Sequence, residues 1–97
     1  MKDISYIINH LGEEREKYFN AITPPLFQTS NFAFSSVAEL KKAIASEKES
    51  YIYSRGNNPT VDILCKKIAA LEETEEALAF ASGMAAISSA VISFVRS

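Results

Sequence analysis

The fold class of this chain is decided by the stretch Ala77-Leu78-Ala79-Phe80-Ala81-Ser82-Gly83-Met84-Ala85-Ala86-Ile87. The segment 77–81 is short and apolar, as is typical of a buried strand. Ser82 is a suitable N-cap, and the pattern that follows predicts a helix from Gly83 to about Val95, apolar over much of its girth and therefore buried on several sides. A buried strand followed by a buried helix is half of a βαβ unit, so the stretch predicts the α/β class. The alternative is that 77–81 is itself helical, because alanine favours helices, and that the domain is all helical.

Two earlier helices have clear start signals. Ser36-Val37-Ala38-Glu39 fits a capping box and predicts a helix from Val37 to about Ala45. Asn58-Pro59 supplies an N-cap and a proline for the first helical position, and the acidic run 72–76 ends that helix. Its apolar residues recur at three- and four-residue spacing and predict an amphipathic face: Val61, Leu64, Ile68 and Leu71.

The first part of the chain has no sustained hydrophobic period. Pro24-Pro25 excludes a helix interior and favours an extended path, so residues 21–32 are predicted to form an extended arm. The apolar side chains of this arm must lie against an apolar surface, for which another subunit is a candidate: Ile22, Leu26, Phe27 and Phe32.

Composition and charge narrow the function classes. The 97 residues are 47% hydrophobic and 23% charged, which suits one small soluble globular domain or part of a larger one. The net charge is −2, and Arg15, Arg55 and Arg96 are scattered along the chain. No positive field therefore favours nucleic acid or an anionic membrane as a partner.

The lone cysteine and the absence of targeting features indicate the cytoplasm. Cys65 cannot form an internal disulfide and is interpreted as a structural thiol on a helix. His10 has no neighbouring cysteine or carboxylate cluster, so no metal site is expected. The N-terminus lacks signal-peptide features, and the apolar-leaning run 77–95 is broken by Ser82-Gly83, so neither a leader nor a membrane span is expected.

Two short segments carry groups that bind phosphate. At Ser82-Gly83-Met84, the free N–H groups of a helix start favour an anion, and glycine lets the backbone approach closely. Tyr53 and Arg55 alternate on one face of an extended segment, where a phenol and a bidentate guanidinium lie side by side. Taken singly, each segment has a plainer interpretation, a helix cap in the first case and an aromatic loop with a surface arginine in the second.

Taken in order, these segments resemble the amino-terminal part of the Cys/Met-metabolism, or trans-sulfuration, family of pyridoxal-phosphate (PLP) enzymes. The family contains cystathionine gamma-synthases, cystathionine beta- and gamma-lyases, methionine gamma-lyases and O-acetylhomoserine sulfhydrylases. The resemblance covers nearly the whole chain and rests on these segments: His10-Leu11-Gly12, the Pro-Pro arm 21–32, Tyr53-Ser54-Arg55 followed by Asn58-Pro59-Thr60, Ala70-Leu71-Glu72, and Ser82-Gly83-Met84-Ala85-Ala86-Ile87.

The resemblance implies the cofactor and the residues that hold it. Pyridoxal 5'-phosphate would be bound through its phosphate by the backbone N–H groups of Gly83 and Met84, beside Ser82. Tyr53 and Arg55 would reach the phosphate of the neighbouring subunit's cofactor, which implies a homo-oligomer, usually a tetramer arranged as a dimer of dimers.

The resemblance also implies a fold and a division of the chain. The fold is that of a fold-type I PLP-dependent transferase, of which an isolated fragment is expected to be mostly helical with few strands. Residues 1–57 would form the extended arm, capped helix and loop that make oligomer contacts, and 58–97 would begin the PLP-binding large domain.

The expected activity is that of a lyase or transferase that performs β- or γ-elimination or γ-replacement on a sulfur-containing amino acid. The family's catalytic lysine, the aspartate at the ring nitrogen, the stacking tyrosine and the substrate-binding arginine are expected beyond position 97, and no lysine of this chain is assigned to that role. We therefore expect an N-terminal fragment that is inactive alone. The rival hypothesis is a non-catalytic self-associating or docking module, because the arm and the last helix are apolar without a visible partner.

Overall fold

The computed structural model describes residues 3–95, so the interpretations that involve residues 1–2 and 96–97, Arg96 among them, lie outside the described part. Its regular secondary structure is helical, in the order α1 (Ile4–Asn9), α2 (Val37–Ala45), α3 (Pro59–Leu71) and α4 (Gly83–Phe94). Short 3₁₀ turns occupy Arg15–Tyr18 and Glu47–Glu49. Helix α1 was not predicted, because six residues are too few to establish a hydrophobic period.

The predicted strand at 77–81 is wrong. Residues 77–81 are irregular, neither strand nor helix, and among residues 3–95 the only β pairing is an isolated antiparallel bridge between Asn31 and Tyr53. A strand exists only when a second segment pairs with it, and no described segment lies alongside 77–81 in a ladder. The expectation of a mostly helical chain is confirmed.

The predicted helix starts are confirmed. The Ser36 Oγ accepts a hydrogen bond from the Glu39 N–H at 3.1 Å, and the Asn58 Oδ1 accepts one from the Thr60 N–H at 2.9 Å. The capping box at α2 differs in one half, since the Glu39 carboxylate accepts from the N–H and hydroxyl of Ser35 instead of the N–H of Ser36. Helix α3 ends before Glu72, where the predicted acidic turn begins.

A buried ion pair joins the N-terminal segment to α3. Glu13 is 4% exposed, and its carboxylate lies 2.5 Å from the Lys67 Nζ and 3.0 Å from the Arg15 guanidinium. The Lys67 Nζ also donates to the Ile8 carbonyl at 2.6 Å, at the end of α1. Burial by itself raises the pKa of Glu13, but the hydrogen bonds from Lys67 and Arg15 outweigh it, so this pKa lies below its ordinary value of 4.5. The pair thus holds α1 against α3.

Gly12 makes the turn between α1 and this ion pair. Its φ is +79°, a left-handed conformation that glycine adopts without strain. A Cβ at this position would lie 3.2 Å from the Lys66 Cδ on α3. Both the backbone conformation and the closeness of α3 therefore favour glycine at the end of the segment His10-Leu11-Gly12.

The described residues form only a small core, and α4 lies outside it. The buried apolar side chains are Ile7, Ala43 and Ala69. No residue of α4 is buried, and among residues 3–95 no other helix packs against it, so the prediction of burial on several sides is wrong for this chain. A helix is buried only by neighbouring elements, and the apolar face predicted on α3 is likewise 43–52% exposed along Val61, Leu64, Ile68 and Leu71.

Residues 21–32 are irregular chain without a helix, as Pro24-Pro25 predicted. Part of its apolar surface is covered within the chain, because the Phe27 ring packs against Tyr18 and Phe32 at centroid distances of 5.9 and 6.5 Å. Ile22 and Leu26 remain 79% and 72% exposed. Separately, none of the helices in residues 3–95 has the length and apolar character needed to cross a membrane.

Candidate cofactor-phosphate site

Tyr53 and Arg55 lie side by side on the surface, so the predicted shared face is present, but the predicted extended conformation is wrong beyond Tyr53, because residues 54–56 form a turn. The Arg55 guanidinium carbon is 5.5 Å from the centroid of the Tyr53 ring, within the range of a cation–π contact. Tyr53 is 44% exposed, and Arg55 is exposed as well. The pair therefore exposes a phenol O–H and a guanidinium side by side, and both groups can donate hydrogen bonds to an anion.

The backbone under this pair is tied to the extended arm. Tyr53 forms the antiparallel bridge with Asn31, flanked by hydrogen bonds from the Phe32 N–H to the Ile52 carbonyl at 3.1 Å and from the Ser54 N–H to the Ser30 carbonyl at 2.8 Å. A turn follows, closed by the Gly56 N–H on the Tyr53 carbonyl at 2.9 Å. The arm thus fixes the strand-like part of this segment.

Ser54 points away from Tyr53 and Arg55, also as predicted. Its hydroxyl donates to the carbonyl of Thr29 and accepts from the Asn58 Nδ2 at 3.0 Å. Asn58 is 8% exposed and also donates to the Phe27 carbonyl at 3.0 Å. Asn58 was predicted only as a helix cap, and its contact with the arm was not predicted.

Thr60 makes a second contact between α3 and the arm. Its hydroxyl donates to the Pro25 carbonyl and accepts from the Phe27 N–H, both at 3.0 Å. No role was predicted for this side chain. The available signal was the order Asn58-Pro59-Thr60, which places two hydrogen-bonding side chains on the first turn of α3, but the arm lies more than thirty residues away in sequence.

The start of α4 has free donors. The Ser82 Oγ accepts from the Ala85 N–H at 3.1 Å, and the Ser82 carbonyl accepts from the Ala86 N–H at 3.2 Å. Among the described residues, the N–H groups of Gly83 and Met84 donate to no acceptor. A hydroxyl that accepts a bond can still donate its own proton, so this turn offers three donors at the positive end of a helix.

The surface at the start of α4 is open. A Cβ added to Gly83 would meet no atom within 4 Å, and Met84 is 69% exposed. The space next to the Gly83 backbone is therefore free for a ligand. Pyridoxal phosphate fits these residues, because its phosphate is a compact anion with several acceptor oxygens for two adjacent N–H groups and a hydroxyl.

The structure does not bring the two predicted groups into contact within one chain. Among residues 3–95, no hydrogen bond, ion pair or ring contact links Tyr53 or Arg55 to Ser82, Gly83 or Met84. The family resemblance implies that they meet across a subunit boundary, and this remains a prediction.

Tyr51 differs from Tyr53 in having a carboxylate partner. Its hydroxyl donates to the Asp62 Oδ2 at 2.6 Å, on the first turn of α3. Burial and this hydrogen bond together raise the pKa of Tyr51 above its ordinary value of 10.0. The Tyr51 hydroxyl is therefore bonded to α3, whereas the Tyr53 ring lies beside the Arg55 guanidinium.

Comparison with known proteins identifies the family. A family model described as "Cys/Met metabolism PLP-dependent enzyme" matches residues 6–97. An L-methionine gamma-lyase from Fusobacterium nucleatum is 46% identical over 80 residues, which cover 82% of this chain and 20% of that protein. An L-methionine gamma-lyase from Treponema denticola is 39% identical over 87 residues, which cover 90% of this chain and 21% of that protein.

A relative with another reaction matches at a similar level. An O-acetyl-L-homoserine sulfhydrylase from Corynebacterium glutamicum is 37% identical over 83 residues, which cover 86% of this chain and 19% of that protein. The chain spans about a fifth of the length of the curated relatives it matches. Since the family model covers almost all of its residues, the chain belongs to the Cys/Met-metabolism family of PLP-dependent enzymes.

Proposed function

We propose that this chain contributes the amino-terminal part of a PLP-dependent lyase or transferase that acts on a sulfur-containing amino acid. Its role there is to bind the cofactor phosphate and to make subunit contacts. The observation that carries the proposal is the open helix start at Gly83 and Met84, whose N–H groups have no acceptor within residues 3–95. Bound pyridoxal phosphate would supply the electron sink for elimination or replacement at the β- or γ-carbon.

Each site residue has a part in holding the phosphate. The Gly83 and Met84 N–H groups donate to phosphate oxygens, and the Ser82 hydroxyl donates its proton while it caps Ala85. Tyr53 and Arg55 are proposed to donate from a neighbouring subunit, and their exposed position beside each other supports this role. The site is complete only in a homo-oligomer, for which we propose a tetramer.

The proposal extends to the fold and the location of the complete enzyme. Residues 1–57 provide subunit contacts, and residues 58–97 begin the large domain of a fold-type I transferase. The exposed Ile22 and Leu26 of the arm support an intersubunit role, because large apolar side chains at such exposure are suited to burial in an interface. A cytoplasmic location fits a metabolic enzyme whose one cysteine, Cys65, is free.

The chain by itself is proposed to be catalytically inactive. Purified chain mixed with pyridoxal phosphate is expected to give no Schiff-base absorbance that survives dialysis, and no keto-acid release from methionine or cystathionine. Absorbance that persists after dialysis together with lyase activity would contradict this part of the proposal.

A second candidate function is a non-catalytic module that associates with itself or docks onto a relative. It is favoured by the exposed apolar residues of α4, of which Ile92 and Phe94 are 69% and 88% exposed. Self-association, measured by sedimentation with and without pyridoxal phosphate, distinguishes the module hypothesis from the enzyme hypothesis. The module hypothesis expects association that is indifferent to the cofactor and to substitution of Arg55, whereas the enzyme hypothesis expects phosphate-dependent binding that requires Arg55.

A further inference from the structure

The segment that carries Tyr53 and Arg55 is held by a small polar cluster, which we call the arm clasp and define as Ser54, Asn58 and Thr60. Asn58 donates to the Phe27 carbonyl and to the Ser54 Oγ, both at 3.0 Å. Ser54 in turn donates to the Thr29 carbonyl. Thr60 bonds the Pro25 carbonyl and the Phe27 N–H, both at 3.0 Å. The clasp therefore connects the arm, the Tyr53–Arg55 segment and the start of α3.

Asn58 has no spare hydrogen-bonding group on its amide nitrogen. Its two N–H protons are directed to Phe27 and Ser54, while its Oδ1 caps Thr60. It is also 8% exposed, so water cannot easily replace these partners. A helix cap needs only the acceptor oxygen, and the two donated bonds go beyond capping.

The clasp holds the backbone between Tyr53 and Arg55. Ser54 lies between Tyr53 and Arg55 in sequence, and its side chain points into the clasp while theirs point outward. The hydrogen bonds of Ser54 therefore fix the backbone that carries the side chains of Tyr53 and Arg55. A guanidinium binds phosphate with two parallel bonds only when its fork is aimed correctly, so its orientation matters for affinity.

We propose that Ser54, Asn58 and Thr60 are positioning residues that aim Tyr53 and Arg55 at the cofactor phosphate. The identity of the ligand rests on the proposed function, whereas the hydrogen bonds that hold Tyr53 and Arg55 in place do not depend on which ligand binds. It assigns to the arm a second role besides subunit contact, because the arm supplies the carbonyls and the N–H to which the clasp is bound.

Asn58→Asp separates capping from positioning. Aspartate caps a helix as well as asparagine, but it cannot donate to Phe27 or Ser54. Ser36→Asp at the start of α2 is the matched control, because it also exchanges one good cap for another, away from the clasp. Thr60→Val and Thr60→Ser form a second pair of variants. Thr60→Val removes the hydroxyl and keeps nearly the same shape, whereas Thr60→Ser keeps the hydroxyl.

The first readout is tryptic cleavage after Arg55 in the 97-residue chain, with cleavage after Lys17, which lies outside α2 and the clasp, as the internal reference. Cleavage requires local opening of the segment, so we expect Asn58→Asp and Thr60→Val to raise its rate about tenfold, and Ser36→Asp and Thr60→Ser to leave it unchanged. Unchanged cleavage after Arg55 in both Asn58→Asp and Thr60→Val would overturn the proposal.

The second readout is the dissociation constant for pyridoxal phosphate in the same purified variants, with Arg55→Gln alongside. We expect weaker binding in Asn58→Asp and Thr60→Val, approaching that of Arg55→Gln, and rescue in Thr60→Ser. If Arg55→Gln weakens binding while the clasp variants bind normally, the positioning role is refuted and the proposed function stands. If Arg55→Gln itself binds normally, the proposed function is refuted, and the positioning role with it.

Discussion

The guanidinium of Arg55 lies over the ring of Tyr53, 5.5 Å from its centroid, on a segment whose intervening residue, Ser54, is bonded inward. The two side chains are therefore in contact on the same side of the chain. The contact limits the conformations open to a long side chain, which lowers the entropy lost when it binds an anion. The chain itself thus partly organises the pair for the phosphate binding that we propose.

Substitution of Arg55 tests this pair. Arg55→Gln removes charge-assisted hydrogen bonds worth about 1.5–3 kcal/mol. We expect the dissociation constant for pyridoxal phosphate to rise by about ten- to a hundredfold. The control is Lys42→Gln, which removes one positive charge from the exposed side of α2. Equal effects of the two substitutions would mean that net charge, and not the position of Arg55, governs binding.

Gly12→Ala tests the docking of the N-terminal segment. A residue with a Cβ at φ +79° is strained, and the added atom would lie 3.2 Å from the Lys66 Cδ. We expect the free energy of unfolding to fall by about 1–2 kcal/mol, as measured by urea denaturation. Gly83→Ala is the matched control, because its Cβ would occupy open space at a helix start and should leave stability nearly unchanged. A stable Gly12→Ala variant would contradict the described turn.

Acidification tests the Glu13–Lys67 ion pair. The pKa of Glu13 is lower in the folded chain than its ordinary value of 4.5, so the folded state binds this proton less tightly than the unfolded state does. The stabilisation is therefore complete above pH about 4.5 and is lost as the pH falls through the lower folded-state pKa. We expect Glu13→Gln to be less stable than the parent at neutral pH and the difference to shrink in acid.

The measurement is urea unfolding at a series of pH values. Glu75→Gln, on the turn after α3, serves as the control for the loss of one carboxylate with no hydrogen-bond or ion-pair partner in the described residues. A difference between Glu13→Gln and the parent that stays constant from neutral pH to below pH 4 would show that the ion pair does not supply this stabilisation.

Alkaline titration tests the bond between Tyr51 and Asp62. Burial and the Asp62 carboxylate raise the pKa of Tyr51, so its contribution to stability persists at neutral pH and is lost only as the pH rises through the folded-state value. We expect tyrosinate absorbance to show later ionisation of one tyrosine, identified by its absence in Tyr51→Phe. Asp62→Asn should bring that ionisation to lower pH. An unchanged titration curve in Asp62→Asn would contradict the described hydrogen bond.

What could be predicted from the sequence was mostly local. The starts of α2, α3 and α4 follow from Ser36, Asn58 and Ser82, because a cap depends on residues within one turn. Alternation in an extended segment predicted that Tyr53 and Arg55 share one face. They do lie side by side, but the chain is strand-like only at Tyr53, and residues 54–56 form a turn.

What could not be predicted depends on partners distant in sequence. Glu13 and Lys67 are 54 residues apart, and Asn58 bonds a carbonyl 31 residues earlier, so neither contact leaves a periodic signal. The predicted strand at 77–81 and the burial of α4 failed because each needs a neighbouring element that the described residues do not provide. A local apolar pattern indicates a need for burial but not what covers it.

The most direct test of the central claim is to follow the backbone amides of Gly83 and Met84 by NMR while pyridoxal phosphate is added. We predict saturable shifts of these two amides with pyridoxal phosphate, little change with pyridoxal, which lacks the phosphate, and loss of the response in Gly83→Ala, whose methyl group occupies the free space. Shifts confined to other amides, or equal responses to pyridoxal and pyridoxal phosphate, would contradict the claim that the start of α4 binds the cofactor phosphate.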